Sequence, residues 1–328
     1  MPQDPTEDPA GDDPTGDDPD QQPPPAVAPP GLPYPGYYPG FAWPPADPRF
    51  DPADPLVSAD FASWWRRSFA IMRRGWRPLA LVQVVTAVPA LALLIPAQLY
   101  VDLASRDLAA EAAGESMAGL GRFLAASGVS VLAILVASLV YAFGTLAGVR
   151  LVVDVALGRE ARAGRAMRHV LRRLPALIGW SLLGALLAVV AVLACFVPVL
   201  YVGAVLTLLP VVVLFEPGGG ISRCFQLFNT DLGAAVGRVA TIAALGLGTS
   251  VVFTALSVVV PVITQGSAFP DPAAAVSTAA IVANSVTGTL LSGVATIISG
   301  VLLTPLIVAT YADLRARREP FITAYLPG

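Results

Sequence analysis

From residue 79 onward, long apolar runs alternate with short charged ones along this chain. A helix crossing the hydrocarbon core of a bilayer needs roughly 17–25 predominantly apolar residues. Six runs reach that length: Leu79–Val101, Val129–Val153, Pro175–Val197, Val199–Phe215, Val236–Ile263 and Ile281–Tyr311. The first is interrupted by Pro89 and Pro96, and the third and fourth form a tight hairpin turning near Pro198. The sixth exceeds one perpendicular crossing, so it must tilt, kink at Pro305 or protrude. The expected fold class is all-α: a polytopic membrane bundle of six transmembrane helices with interfacial amphipathic helices and a disordered N-terminal tail. The tail is assigned to residues 1–57, the membrane domain to 58–320 and a short C-terminal tail to 321–328.

A different periodicity precedes each pair of spans. Phe61, Trp65, Phe69, Met72 and Trp76 recur at helical spacing with arginines opposite. Met167, Val170, Leu171 and Leu174 face away from Arg162, Arg165, Arg168 and Arg172. Ile221, Cys224, Phe225, Phe228 and Leu232 form a third stripe, with Arg223, Gln226 and Asn229 opposite. Such helices are expected to lie in the membrane interface with the apolar face down. The unit of one interfacial helix and one hairpin occurs three times at unequal period, which leaves a true repeat open.

Composition agrees with a membrane solvent: 55% of residues are hydrophobic and 13% charged, against about 25% charged in ordinary globular proteins. The net charge of -3 hides an asymmetry. Residues 1–60 hold twelve acids and one arginine, the rest nineteen arginines and eleven acids, and there is no lysine. Arg66, Arg67, Arg73, Arg74 and Arg77 precede span one; Arg159, Arg162, Arg165, Arg168, Arg172 and Arg173 separate spans two and three; Arg315, Arg317 and Arg318 follow span six. The opposite loops carry only Arg106 and Arg122. By the positive-inside rule both termini are expected in the cytoplasm of a cell-membrane protein, in agreement with an even number of spans.

Eighteen of the 31 prolines fall in residues 1–57, with eight acids in the first twenty residues. That stretch cannot bury enough apolar surface to offset its ordering entropy, and it does not read as a secretory signal. Its aromatic segment Pro33–Trp43 suits a docking segment for a partner protein, a surface that lies on the membrane face, or a solubilising tail.

The basic residues Arg66, Arg67, Arg73, Arg74, Arg77, Arg165, Arg168, Arg172 and Arg173 have two readings. They bind anionic lipid headgroups, at about 1 kcal/mol per residue near the surface, or they simply hold their loops inside. Inside the spans the polar residues are small. Gly144 and Gly148 form a G-x-x-x-G in span two, and Gly288, Ser292, Thr296, Gly300 and Thr304 recur every four residues in span six. Rows of this kind let helix backbones approach in lipid; alternatively they line a hydroxylic path between spans five and six, extended by Gln83 and Gln98. Arg150 and Asp154, four apart, are placed to pair, and Glu216 closes span four. Gly218–Gly220 reads as a flexible corner. Cys195 and Cys224 are expected at opposite membrane faces and unpaired. One histidine, His169, leaves no multi-His metal site, and no Walker loop or nucleophile elbow is present. The chain is therefore expected to be no enzyme and to use no cofactor, metal or nucleic acid. Its expected partners are the bilayer, including anionic lipids, and a protein recruited by the tail.

Two segments carry a family resemblance: Trp64-Trp65-Arg66-Arg67-Ser68-Phe69 with Arg74-Gly75-Trp76-Arg77-Pro78 before the first span, and Tyr311-Ala312-Asp313-Leu314-Arg315-Ala316-Arg317-Arg318-Glu319 after the last. Over roughly residues 58–320 the chain resembles the multi-pass actinobacterial proteins related to the membrane domain of glycerophosphoryl diester phosphodiesterases. The resemblance implies a membrane module without the hydrolytic domain. The resulting expectation is a scaffold or sensor at the cytoplasmic face, with a transporter or permease for a lipid or uncharged solute as the alternative.

Overall fold

The computed structural model of the protein describes residues 53–112, 118–194, 196–216, 218–265 and 277–326. It is an all-α polytopic bundle with no strand among the described residues. Six helical segments are long and apolar enough to cross a membrane. Cys195, most of the expected tail and residues 266–276 lie outside the described residues.

The elements are α1 (Phe61–Ala112), α2 (Ala118–Ala156), α3 (Ala163–Leu171), α4 (Leu174–Ala194), α5 (Phe196–Leu206), α6 (Leu209–Phe215), α7 (Ile221–Phe228), α8 (Leu232–Gln265) and α9 (Thr278–Arg318). At about 1.5 Å per residue, the 52 residues of α1 and the 41 of α9 far exceed an apolar layer about 30 Å thick. Both therefore protrude from it. α1 packs against α2 and α9, α8 lies along α9, and α4 and α5 form the hairpin.

Three expectations are corrected. The stretch Phe61–Trp76 is no separate interfacial helix but the first turns of α1, which runs on through Pro78, Pro89 and Pro96. α3 and α7 are separate, yet their apolar faces meet protein rather than lipid. Ala166 and Val170 of α3 are buried, as are Ile221, Cys224, Leu227 and Phe228 of α7, whereas Leu171 and Leu232 point outward. Span four, expected as one helix, is two. The chain breaks at Thr207-Leu208 because Pro210 cannot continue a helical ladder and instead sits in the first turn of α6.

The tail boundaries move as well. Asp54, Leu56, Val57 and Ser58 are buried, and so are Phe321, Thr323 and Leu326. Asp54 fastens the two ends together. Its Oδ1 accepts the backbone N–H groups of Leu56 at 2.8 Å and Val57 at 2.9 Å and the Thr323 hydroxyl at 2.5 Å; its Oδ2 accepts the Thr323 backbone N–H at 2.6 Å. Residues 53–57 and 321–326 thus belong to the folded body.

Burial is uneven along the helices. The largest enclosed side chains, among them Leu56, Trp64, Leu151, Leu208, Phe228, Tyr311 and Leu326, gather at the arginine-rich end. The opposite halves of α2, α4 and α8 present Leu132, Leu193, Val251, Val258 and Ile263 outward. That is the surface a helix shows to lipid, where apolar exposure carries no penalty.

Candidate functional site

The nineteen arginines downstream of the tail divide into residues that tie the fold and residues that do not. In the first group, Arg67 donates to the backbone carbonyls of Asp54 and Val57. It ties the first turns of α1 to the segment before them. Arg150 pairs with Asp154 at 3.2 Å, with both side chains buried. Arg238 of α8 pairs with Asp313 of α9 at 2.7 Å, and Arg317 reaches Asp313 at 3.1 Å, the Ala59 carbonyl at 3.1 Å and the Asp231 carboxylate.

A second cluster is centred on Glu216. Its carboxylate accepts from Arg223 of α7 at 2.5 Å and from the Tyr311 hydroxyl at 2.7 Å. Arg315 donates to Tyr311 at 2.9 Å and to Glu319, which also receives Arg223 at 2.9 Å. Burial works against the Arg223 cation, but Glu216 and Glu319 outweigh it and hold the group above its usual value. Burial likewise works against the Glu319 carboxylate, and Arg315 and Arg223 still keep it below the usual range. The Cys224 thiol beneath α7 is pushed up to about 12, first by burial and then by Glu216. A buried thiol in that state is inert. These clusters are cross-braces between α6, α7, α8 and α9, and the pairing of Arg238 with Asp313 was not read from the sequence. Two single charges near matching ends of otherwise apolar helices were the available signal.

The second group of arginines surrounds α3. Arg165, Arg168 and Arg172 lie at i, i+3 and i+7, hence on one face, and with His169 and Arg173 they line a cavity of about 620 Å³. Leu214 and Phe215 at the end of α6 form its apolar side. α2 stops short of this cavity at a Schellman turn. Gly158 takes φ 65°, its N–H bonds the Val155 carbonyl at 3.1 Å, and Arg159 N–H bonds that of Asp154 at 2.8 Å. Among the described residues no carboxylate lies within 4 Å of Arg165, Arg168, Arg172 or Arg173. Glu160 is engaged by Arg162 at 2.6 Å. Partial burial and then the charges of Arg150, Arg173 and Arg172 hold the His169 imidazole below its usual value. The remaining expected headgroup residues, Arg66, Arg73, Arg74 and Arg77, are exposed along α1. Arg77 stacks 5.5 Å from the exposed ring of Trp76.

The small residues do different things at different positions. A Cβ added at Gly144 would lie 2.6 Å from Thr86 Oγ1, and one at Gly300 would lie 2.4 Å from Gln83 Cδ. Gly148 stands opposite Thr304 and Gln83 at ordinary contact distance. These three glycines make room for Thr86 and Gln83 where α1, α2 and α9 meet. Gly288, expected as a packing position, has nothing within 4 Å of such a Cβ. It lines a cavity of about 310 Å³ between α8 and α9 together with Ser250, Thr254, Ser292 and Thr296. Gly288 and Ser292 also border a neighbouring cavity of about 470 Å³ that reaches Gln98 and Asp102 of α1. Many hydroxyls here bond back to their own helices, as Thr296 does to Ser292 O at 2.9 Å and Thr289 to Ser285 O at 2.7 Å, so they do not require water. The glycines of the corner answer to local geometry. Gly218 takes φ 81°, and a Cβ at Gly220 would enter the Trp180 ring at 2.2 Å.

No group of three or more His, Cys, Asp or Glu side chains that could hold a metal ion occurs among the described residues. No protein-family model, curated protein or solved structure matches the chain.

Proposed function

We propose that this chain is a cell-membrane scaffold or sensor that works from its arginine-rich face, with both termini in the cytoplasm. The single observation that carries the reading is the bracing of that face. Asp54 fastens the base of the tail to Thr323, and Arg317 connects α9 to Asp231 and to the Ala59 carbonyl. The acids that brace this face are engaged by arginines, as Glu216, Asp231 and Asp313 are, and the chain downstream of the tail is anchored at Asp54. The arrangement suits a platform that presents a partner-binding tail. Photo-crosslinking residues placed at Tyr37 and Trp43 in the full chain should capture a specific cytoplasmic protein in cells. Recovery of lipid alone, or of nothing, would count against recruitment.

A second reading, a permease for a lipid or uncharged solute, is favoured by the adjoining cavities that share Gly288 and Ser292. Replacing Ser292 with leucine would obstruct both, and Thr296→Leu the one between α8 and α9. Flux in reconstituted vesicles that drops with either change supports the permease; unchanged flux removes its basis.

A further inference from the structure

We infer that the cavity bounded by α3 and the end of α6 is a binding site for a phosphate-bearing anion, supplied by the headgroup of an acidic membrane lipid. Three observations support it. First, this cavity gathers four guanidinium groups with no carboxylate within 4 Å of any of them among the described residues. Arginines elsewhere at this end, such as Arg150, Arg223, Arg238 and Arg315, are paired with acids. Like charges three and four apart on a short helix cost it a few tenths of a kcal/mol per pair, so the ligand-free cavity is electrostatically loaded and an anion relieves it. Second, the chemistry fits. Guanidinium forks bond phosphate oxygens in pairs, and α3 is held in place from behind by buried Ala166 and Val170.

Third, the depth selects the source. Arg172 and Arg173 immediately precede α4, where a lipid-crossing run begins at Leu174, and Leu214 and Phe215 close the span that returns. The cavity therefore sits where the hydrocarbon ends and headgroups begin. Leu171 is exposed beside it, and Leu182 and Leu186 of α4 are exposed beyond, a surface along which acyl chains can lie. The inference rests on this end standing at headgroup level. It does not depend on a tail partner, nor on which side of the membrane the end faces.

His169 lines the cavity and is the chain's only histidine, so it reports on the site without interference. The full chain, isotope-labelled at histidine in phosphatidylcholine nanodiscs, is titrated with short-chain phosphatidic acid and, separately, with inorganic phosphate. Saturable movement of the imidazole resonance with the lipid, and a higher titration midpoint for His169 in the complex, are expected. Arg168→Gln/Arg172→Gln should weaken the lipid response at least about tenfold, while Arg66→Gln/Arg73→Gln, which removes equal charge from α1, should leave it within about twofold. An equal response to inorganic phosphate would support the anion site and assign its source to free phosphate. If the glutamine pair does not fold, Arg168→Lys/Arg172→Lys keeps the charge and loses the forks, and should still weaken binding several-fold. No saturable response to either anion, or equal losses in the α3 and α1 variants, would overturn the inference and reduce the cavity to diffuse surface charge.

Discussion

Arg238 Nη2 lies 2.7 Å from Asp313 Oδ2 as an ion pair, and the two side chains are 3% and 0% exposed. The pair joins α8 to α9 at the arginine-rich end, beside the Trp64 ring, whose centroid is 5.9 Å from the guanidinium. Isolated charges in that setting carry a large desolvation cost, which only pairing offsets. Arg238→Met should therefore cost about 3–5 kcal/mol, read as a lowered unfolding temperature in detergent. The double replacement Arg238→Met/Asp313→Leu should recover much of the loss. A double variant as weak as the single would show that the pair contributes more than mutual neutralisation.

The Asp54 clasp makes a separate prediction. Four donors converge on one carboxylate, and leaving buried donors unmatched costs about 1–3 kcal/mol each. In Asp54→Ala the segment from Phe321 should detach. Carboxypeptidase should then trim the chain beyond Leu326 to near Pro320, whereas the wild type resists. Equal trimming of the two proteins would contradict the clasp.

Where α1, α2 and α9 meet, Gly300 and Gln83 should be energetically coupled. A methyl at position 300 cannot coexist with the present Gln83 rotamer, so Gly300→Ala alone should cost about 1–3 kcal/mol. In a Gln83→Ala background the same change should be close to neutral. Additive losses measured across this cycle would remove the steric account.

Acid should loosen the arginine-rich end. Asp231 lies below its usual range, first because it accepts the Ala234 N–H and then, against some burial, because Arg317 is near; Glu319 lies below its range through Arg315 and Arg223. A depressed native value means the stabilisation is complete above the unfolded carboxylate range, about pH 3.9–4.3, and is lost as pH falls through the folded values. The unfolding midpoint should hold between pH 6 and 8 and fall below about pH 4. Glu319→Gln should flatten part of that fall; an unchanged acid limb would contradict the assignment.

Much of the membrane architecture was legible in the apolar runs, because lipid imposes a length on each crossing that a single sequence reveals. The boundaries of α1 and α9 were not. Helices extend past the hydrocarbon whenever packing continues, and Trp64 or Tyr311 signals that packing only once its neighbours are known. The fourth crossing is present, but its break at Thr207-Leu208 was not read, because the ladder-breaking effect of Pro210 was overlooked inside an uninterrupted apolar run. Arg168 and Arg172 were legible as basic positions, but their convergence with His169 and Phe215 depends on how α3 meets the end of α6. Arg67 shows the reverse: one of five similar arginines before span one, it is set apart only by carbonyls from a segment that looked like part of the tail.

Six helices crossing the lipid with the arginine-rich end inside the cell fix which positions a reagent outside can reach. Single cysteines at Ala109, at the far end of α1, and at Glu160, beside α3, test that arrangement in a chain whose own Cys195 and Cys224 are alanine. With a membrane-impermeant maleimide on intact cells, position 109 should label at once and position 160 only after permeabilisation. Labelling of 160 from outside, or protection of 109, would contradict the topology.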